Sequence, residues 1–198
     1  MNQTLSALQD ARKNRNPQII KRLNNFGFDI SMEDVIKEAG EGGQVGRPHI
    51  ARVMIKKGFA ASIPDAFDQY LATGKPAYVD KYRVECHKAI EMILNAGGIP
   101  VLAHPILLQI DTNESLEKFV SILTEMGLKG IEVYYSEHTP ENITYYKNIA
   151  QKNGLIMTGG SDFHGSLKPT IKLGSGTGNL SVPYTVYENL ISAINDMQ

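Results

Sequence analysis

Five histidines and one cysteine are the most reactive side chains in this chain. Two of the histidines end short apolar runs. His104 follows Val101, Leu102 and Ala103 and is fixed from behind by Pro105. Asp162 and His164 follow Leu155, Ile156 and Met157; in extended chain an i, i+2 pair points both side chains the same way, which suits two ligands of one metal site. Nitrogen and carboxylate donors together suit zinc, manganese or iron, and a carboxylate can bridge two ions for phosphoester hydrolysis. The plainer readings are an Asp-x-His that caps a turn and a His104 hydrogen-bonded in the core. GRPHIAR (46–52) gathers Arg47, His49 and Arg52 where a helix begins, a natural clamp for phosphate, or else an ordinary helix start with a solvated arginine. His138, in YYSEHTPE, lies just past an apolar run and can touch substrate from the same rim, or simply precede the Thr139-Pro140 helix start. Glu132 alternates with Ile131 and Val133 and so faces either a polar interior or solvent. His87 reads as solvated and Cys86 as a small buried side chain.

Those positions matter only if strands present them together. Residues 1–83 read as a helical module without a strand. Leu5, Leu8, Ile19, Ile20 and Leu23 sit at helical spacing, with Pro17 near a helix start. Ser31 precedes a helix with Glu33 and Asp34 in its first turn, ended by Gly40, Gly42 and Gly43. Further helices run from Pro48 to Lys57 and from Pro64 to Leu71. From residue 84 the rhythm becomes helix–strand–helix–strand. IPVLAHP (99–105), GIEVYY (130–135) and LIMTGGSDFHG (155–165) read as strands, the last running into a loop. IKLGSG is a candidate fourth strand, and residues 187–194 a closing helix. Asn113 and Thr139-Pro140 open the intervening helices. Strands separated by such helices are parallel, with right-handed crossovers, so residues 84–198 form an α/β layer whose functional groups gather at the carboxyl ends of the strands. Three strands leave a parallel sheet short of cover.

Composition limits the partners. With 20 Lys+Arg against 21 Asp+Glu over 198 residues, the net charge of −1 supplies no field to gather long nucleic acid. A single cysteine excludes an internal disulfide framework and a cysteine-cluster zinc site. No apolar run approaches the roughly 18 residues of a membrane helix, and the first 16 residues lack the apolar core of a secretory signal. The expectation is a cytoplasmic protein. GSGTG (174–178) lacks a following helix and is no dinucleotide fingerprint; Ser161 lacks the G-x-S-x-G elbow of a nucleophilic serine.

AGGIPVLAHP (96–105), GLKGIEVYYSEHT (127–139) and GLIMTGGSDFHG (154–165), in that order, resemble the C-terminal half of a PHP-domain (polymerase and histidinol phosphatase) phosphoesterase. GRPHIARVMIKKG and AFDQYLATGKPAYV (66–79) resemble the helical insertion of the branch containing 3′,5′-nucleoside bisphosphate phosphatases and 5′–3′ RNA-trimming enzymes. The resemblance implies a partial irregular β/α barrel after a helical insertion module. It implies His104, Asp162 and His164 as metal ligands, Arg47, His49 and His138 as phosphate contacts, and a cluster of two or three divalent ions (Mn, Fe or Zn). The reaction implied is metal-assisted attack of hydroxide on the phosphorus of a small phosphorylated nucleotide or a short RNA 5′ end. The family's H-x-H motif on its first strand is absent from this sequence, so the chain is expected to be the later part of such an enzyme. On that expectation it is weak or inactive alone, and its open sheet is covered by a second copy or swapped elements. The competing readings are a non-catalytic remnant that binds or oligomerises, and a histidinol-phosphate phosphatase.

Overall fold

The structure, a computed structural model, describes residues 2–40 and 45–196. The chain divides into two compact units, residues 1–83 and residues 84–198.

The first unit is helical. Helix α1 (Asn2–Asn25) runs through Pro17 rather than starting there. The proline removes one backbone donor from the helix interior, and one turn away the Gln18 side chain donates to the Asn14 carbonyl at 3.2 Å. Helix α2 (Met32–Ala39) opens on a capping box in which the Ser31 hydroxyl and the Asp34 carboxylate each take the other's backbone N–H. Gly40 closes it at φ 77°, whereas Gly42 and Gly43 lie outside the described residues. Helix α3 (Arg47–Lys56) is followed by the short α4 (Ile63–Ala66) and a π-helical turn at Phe67–Leu71. Ile19, Leu23, Val35, Ile50, Met54 and Leu71 close the core between them, each fully buried.

The second unit is α/β. Helix α5 (Cys86–Leu94) leads to strand β1 (Val101–Leu102), α6 (Asn113–Glu125) to β2 (Gly130–Tyr135), and α7 (Pro140–Lys152) to β3 (Ile156–Gly160); α8 (Tyr184–Asn195) closes the chain. The strands form one parallel sheet in the order β1-β2-β3. β1 is shorter than the apolar run 99–105 because Pro105 starts a 3-10 turn (Pro105–Leu108) immediately after His104. Thr112, not Asn113, caps α6: its hydroxyl accepts from the Ser115 amide. Helices α7 and α8 pack on β2 and β3, burying Tyr146, Ile149 and Val186 around Ile131 and Val133. Each fully buried aliphatic side chain contributes roughly 1.5–3 kcal/mol.

Pairing slips by one residue between Glu132 and Tyr134, leaving Val133 without a partner in β3. At this bulge the strands come so close that a Cβ on Gly159 would lie 2.6 Å from the Tyr134 Cβ and 2.8 Å from its carbonyl. Only glycine fits there. IKLGSG does not become a fourth strand. Lys172 and Gly176 form an isolated antiparallel bridge, because Gly174 and Gly176, at φ 76° and 59°, turn the chain back on itself.

Candidate active site

The carboxyl ends of β1, β2 and β3 bring His104, Glu132, Tyr135, Asp162 and His164 into one network. His104 leaves β1 in the left-handed region at φ 34°, and Asp162 leaves β3 at φ 54°. Only one other described non-glycine residue, Gln109, has a positive φ. Such backbone costs about 1–3 kcal/mol per residue and persists where the surroundings impose it. The surroundings are identifiable here. Glu132 on β2 accepts the His104 amide at 2.6 Å, which fixes the turn that carries the imidazole. Tyr135, at the end of β2, donates its hydroxyl to Asp162 Oδ2 at 3.2 Å, and its ring lies 6.0 Å from that of His104.

His164 donates from Nδ1 to the Asp162 carbonyl at 2.7 Å. A carbonyl only accepts, so Nδ1 carries a proton and Nε2 is the ring nitrogen left to face a ligand. The side chain is about half exposed. Lys168 reaches back across the 3-10 turn Gly165–Leu167 and places Nζ 2.6 Å from Asp162 Oδ2. Ser136 and Ser161 brace the rim behind: Ser136 Oγ donates to the Ser161 carbonyl at 2.7 Å, and Ser161 Oγ accepts the Gly174 amide at 3.3 Å.

Electrostatics separate the two carboxylates. Burial pushes Glu132 above the usual carboxylate range, against the opposing pull of the His104 amide and imidazole, and the Asp162 charge adds to the rise. Burial works in the same direction on Asp162, but the Lys168 ammonium, His164 and the Tyr135 hydroxyl outweigh it and hold that carboxyl low. Burial, with Glu137 and Asp162 nearby, raises Tyr135 and keeps it a hydrogen-bond donor.

His138 lies beneath the rim, 5% exposed. Its Nδ1 donates to the carbonyl of the bulged Val133 at 2.8 Å, and its ring packs 5.3 Å from Tyr135 and 4.6 Å from Tyr146. Burial holds its pKa below the ordinary imidazole value. Nε2 is then a buried lone pair with no partner. In the first unit, Arg47 donates to the Leu71 carbonyl at 2.7 Å and lies 5.4 Å from the ring centres of Phe67 and Tyr78. His49 Nδ1 accepts the Gly46 amide at 3.1 Å.

His104, Asp162 and His164 thus share one rim. Sequence reasoning missed Tyr135 and Lys168, left Glu132 undecided, and took Cys86 to be buried, whereas at the start of α5 it is exposed. Lys168 carries no motif, and only the turn after His164 returns it to Asp162. As metal donors these residues fit in kind, imidazole and carboxylate, but not in arrangement. Among the described residues no three His, Cys, Asp or Glu side chains are grouped closely enough to hold a metal ion.

An α/β unit that presents imidazoles and carboxylates at the carboxyl ends of parallel strands belongs to the class of α/β folds whose ligand sites lie at those ends. The relatives narrow that class. The chain is 34% identical over 169 residues to the 5′-3′ exoribonuclease Rnm of Escherichia coli, covering 85% of this chain and 57% of that protein. It is 28% identical over 161 residues to the 3′,5′-nucleoside bisphosphate phosphatase of Chromobacterium violaceum, covering 81% of this chain and 56% of that one. A solved structure from Bifidobacterium adolescentis, assigned as a metal-dependent phosphoesterase, superposes with a TM-score of 0.77 at 30% identity, covering 94% of this chain and 64% of that one. No family model matches the chain. The resemblance read from the AHP and SDFHG motifs is borne out by these relatives, and the chain spans a little over half of the length of the curated ones.

Proposed function

We propose that the chain is part of a metal-dependent phosphoesterase acting on small phosphorylated nucleotides, such as 3′,5′-bisphosphonucleosides, or trimming RNA from a phosphorylated 5′ end. The observation that carries the reading is the strained, braced pair of strand ends: His104 and Asp162 both held left-handed, one by Glu132 and the other by Tyr135 and Lys168. A manganese, iron or zinc ion bound there would neutralise phosphate charge and activate water. His104 Nε2 or Nδ1, His164 Nε2 and an Asp162 oxygen are the donors this chain offers it. Arg47, His49 and His138 are the proposed phosphate contacts, each already engaged as described. Residues 1–83 correspond in this reading to a helical insertion, and residues 84–198 to part of a β/α barrel whose open sheet is covered by a second copy or swapped elements. The proposed compartment is the cytoplasm; among the described residues no helix is long and apolar enough to cross a membrane.

A specific observation favours a second reading, a non-catalytic binding or oligomerising role: among the described residues no three donors are grouped for a metal. One experiment separates the two. Phosphate release from adenosine 3′,5′-bisphosphate and shortening of a 5′-phosphorylated oligoribonucleotide are followed with and without Mn²⁺, across the oligomers resolved by sedimentation. Metal-dependent release that disappears in His104→Ala and Asp162→Asn is expected. Release that ignores both metal and substitutions overturns the proposal, and no release from any oligomer favours the binding role. Histidinol phosphate serves as the competing substrate.

A further inference from the structure

The net charge of −1 hides a division. Residues 1–83 carry 13 Lys+Arg against 9 Asp+Glu, and residues 84–198 carry 7 against 12, so the helical unit is basic and the α/β unit acidic. Screening over about 8–10 Å makes the local charge, not the total, the quantity that a bound polyanion meets. The excess is concentrated further. Residues 11–25, within α1, hold five Lys+Arg and no acid, and residues 75–83 hold Lys75, Lys81 and Arg83 against Asp80. The fold lays these two segments side by side. Arg15 lines a small cleft with Leu8 and Ala11 from α1 and with Lys81 and Tyr82 from the later segment. Two turns on, Arg22 donates to the Tyr78 carbonyl. Past the last turn, the Phe26 ring meets that of Tyr70 edge-on at 5.9 Å, and the Tyr70 carbonyl takes the Ala77 amide at 3.0 Å. Residues 77–82 therefore run back along α1 opposite one stripe of the helix, on which Leu8, Ala11, Arg15 and Arg22 recur at helical spacing.

Along this seam positive charge and exposed rings alternate. Tyr82 is 58% exposed and Phe26 51%. The cleft measures about 50 Å³, room for a few water-sized groups and too small to take in a base. Charged oxygens can approach Arg15 and Lys81 there, while a base would lie outside, on the Tyr82 ring. From Arg15 to Phe26 the helix rises about 16 Å, the span of about five phosphates of one strand. We propose that this seam binds a short single strand of RNA, with Arg15, Arg22 and Lys81 against its phosphates and Tyr82 and Phe26 stacking its bases. Cations interleaved with ring faces suit a strand whose bases are unpaired. An acidic protein surface would use the charges and leave the two rings without flat partners. The inference rests on the phosphoesterase reading only in choosing RNA over DNA, and it asks nothing of the strand ends.

The test measures binding, with divalent ions removed by EDTA. A fluorescein-labelled octamer of oligoriboadenylate is titrated with the whole chain, and anisotropy gives the affinity at several KCl concentrations. Three neutralised phosphates should make log K fall with log salt at a slope of about −2. Lys81→Gln and Arg22→Gln should each weaken binding and flatten that slope by about 0.7. Tyr82→Ala and Phe26→Leu should each weaken binding by about ten-fold and leave the slope unchanged. Leucine keeps apolar packing against Tyr70, so a loss in that variant reports the ring and not the fold. Tyr82→Phe, which keeps the ring, should bind as the wild type does. So should Tyr184→Ala, which removes a ring 71% exposed on α8 of the acidic unit. Inorganic polyphosphate of the same length should compete more weakly than RNA. Equal affinities in all the variants overturn the proposal, as do polyphosphate competing as well as RNA and absence of binding at low salt. A dimer that Lys81→Gln dissociates in sedimentation, with no RNA bound, also overturns it and makes the seam a dock for the acidic unit of a second copy. Absence of phosphoester turnover does not touch this result, and absence of RNA binding leaves a phosphatase of small nucleotides standing.

Discussion

At the scale of single residues, the site is organised by which atom holds which backbone. Glu132 reaches across from β2 to the His104 amide, so a side chain on one strand sets the conformation of the residue ending the next. Replacing Glu132 by alanine leaves that amide without its acceptor. The loss is partly offset, because a buried carboxylate disfavoured by desolvation and by Asp162 is removed with it. The expected change in folding stability is therefore small, about 1 kcal/mol or less, well under the roughly 1.5–3 kcal/mol of an uncompensated hydrogen bond to a charged group. The local effect is large: the His104 amide should lose hydrogen-exchange protection and shift its resonance. Glu132→Gln keeps an acceptor oxygen and should retain both. An alanine variant with an unchanged His104 amide would show that the left-handed turn is held by something else. The sequence names His104, Asp162 and His164 through local motifs, AHP and S-D-F-H. It cannot name Glu132, Tyr135 and Lys168 as their partners, because those contacts come from parallel register, a bulge and a 3-10 turn rather than from spacing along the chain.

At the scale of elements, the caps at Ser31 and Thr139 and the bounds of β2 were legible, whereas the α6 cap was read one residue late and the length of β1 was not legible. Ser31 and Thr139 sit where short polar residues precede an amphipathic run, and both cap as their chemistry dictates. β1 and the IKLGSG segment depend on proline and glycine geometry that apolar content does not reveal. The α2 cap also carries a charge. Lys57 Nζ lies 2.7 Å from Asp34 Oδ2, and this ammonium, followed by the Ser31 backbone and hydroxyl, lowers the Asp34 pKa from 3.8 to about 2. A group ionised more readily folded than unfolded stabilises the fold above its unfolded pKa, and loses that contribution as pH falls through the folded one. The contribution of Asp34 should therefore be complete above about pH 4 and vanish toward pH 2. Asp34→Asn preserves an acceptor for the Ser31 amide but removes the charge. Its unfolding free energy, measured by urea titration at successive pH values, should fall less steeply than wild type across that interval. Identical slopes would mean that the pair is equally formed in the unfolded chain or absent in solution.

At the scale of the whole molecule, each unit carries a core of its own. Ile19, Leu23, Ile50 and Met54 anchor the helical unit, and Val120, Ile131 and Val133 anchor the α/β unit, each at most 0% exposed. Among the described residues none belongs to both clusters. The proposed metal donors His104, Asp162 and His164 all fall in the second unit, while the proposed phosphate contacts Arg47 and His49 fall in the first. An enzyme reading that needs both sets asks the two units to be present together; the folding of each does not. We infer that each unit unfolds as a cooperative body. Leu23→Ala deletes a fully buried side chain of the helical unit and should cost that unit about 2–5 kcal/mol. Hydrogen exchange resolves the outcome residue by residue. Amides of α2 and α3 should lose protection by the corresponding factor, while those of β2, α7 and β3 should hold theirs. Val120→Ala should produce the mirror image. Parallel loss of protection in both units from either substitution would mean that they fold as one, and would make the first unit a support of the strand-end site rather than a separable insertion.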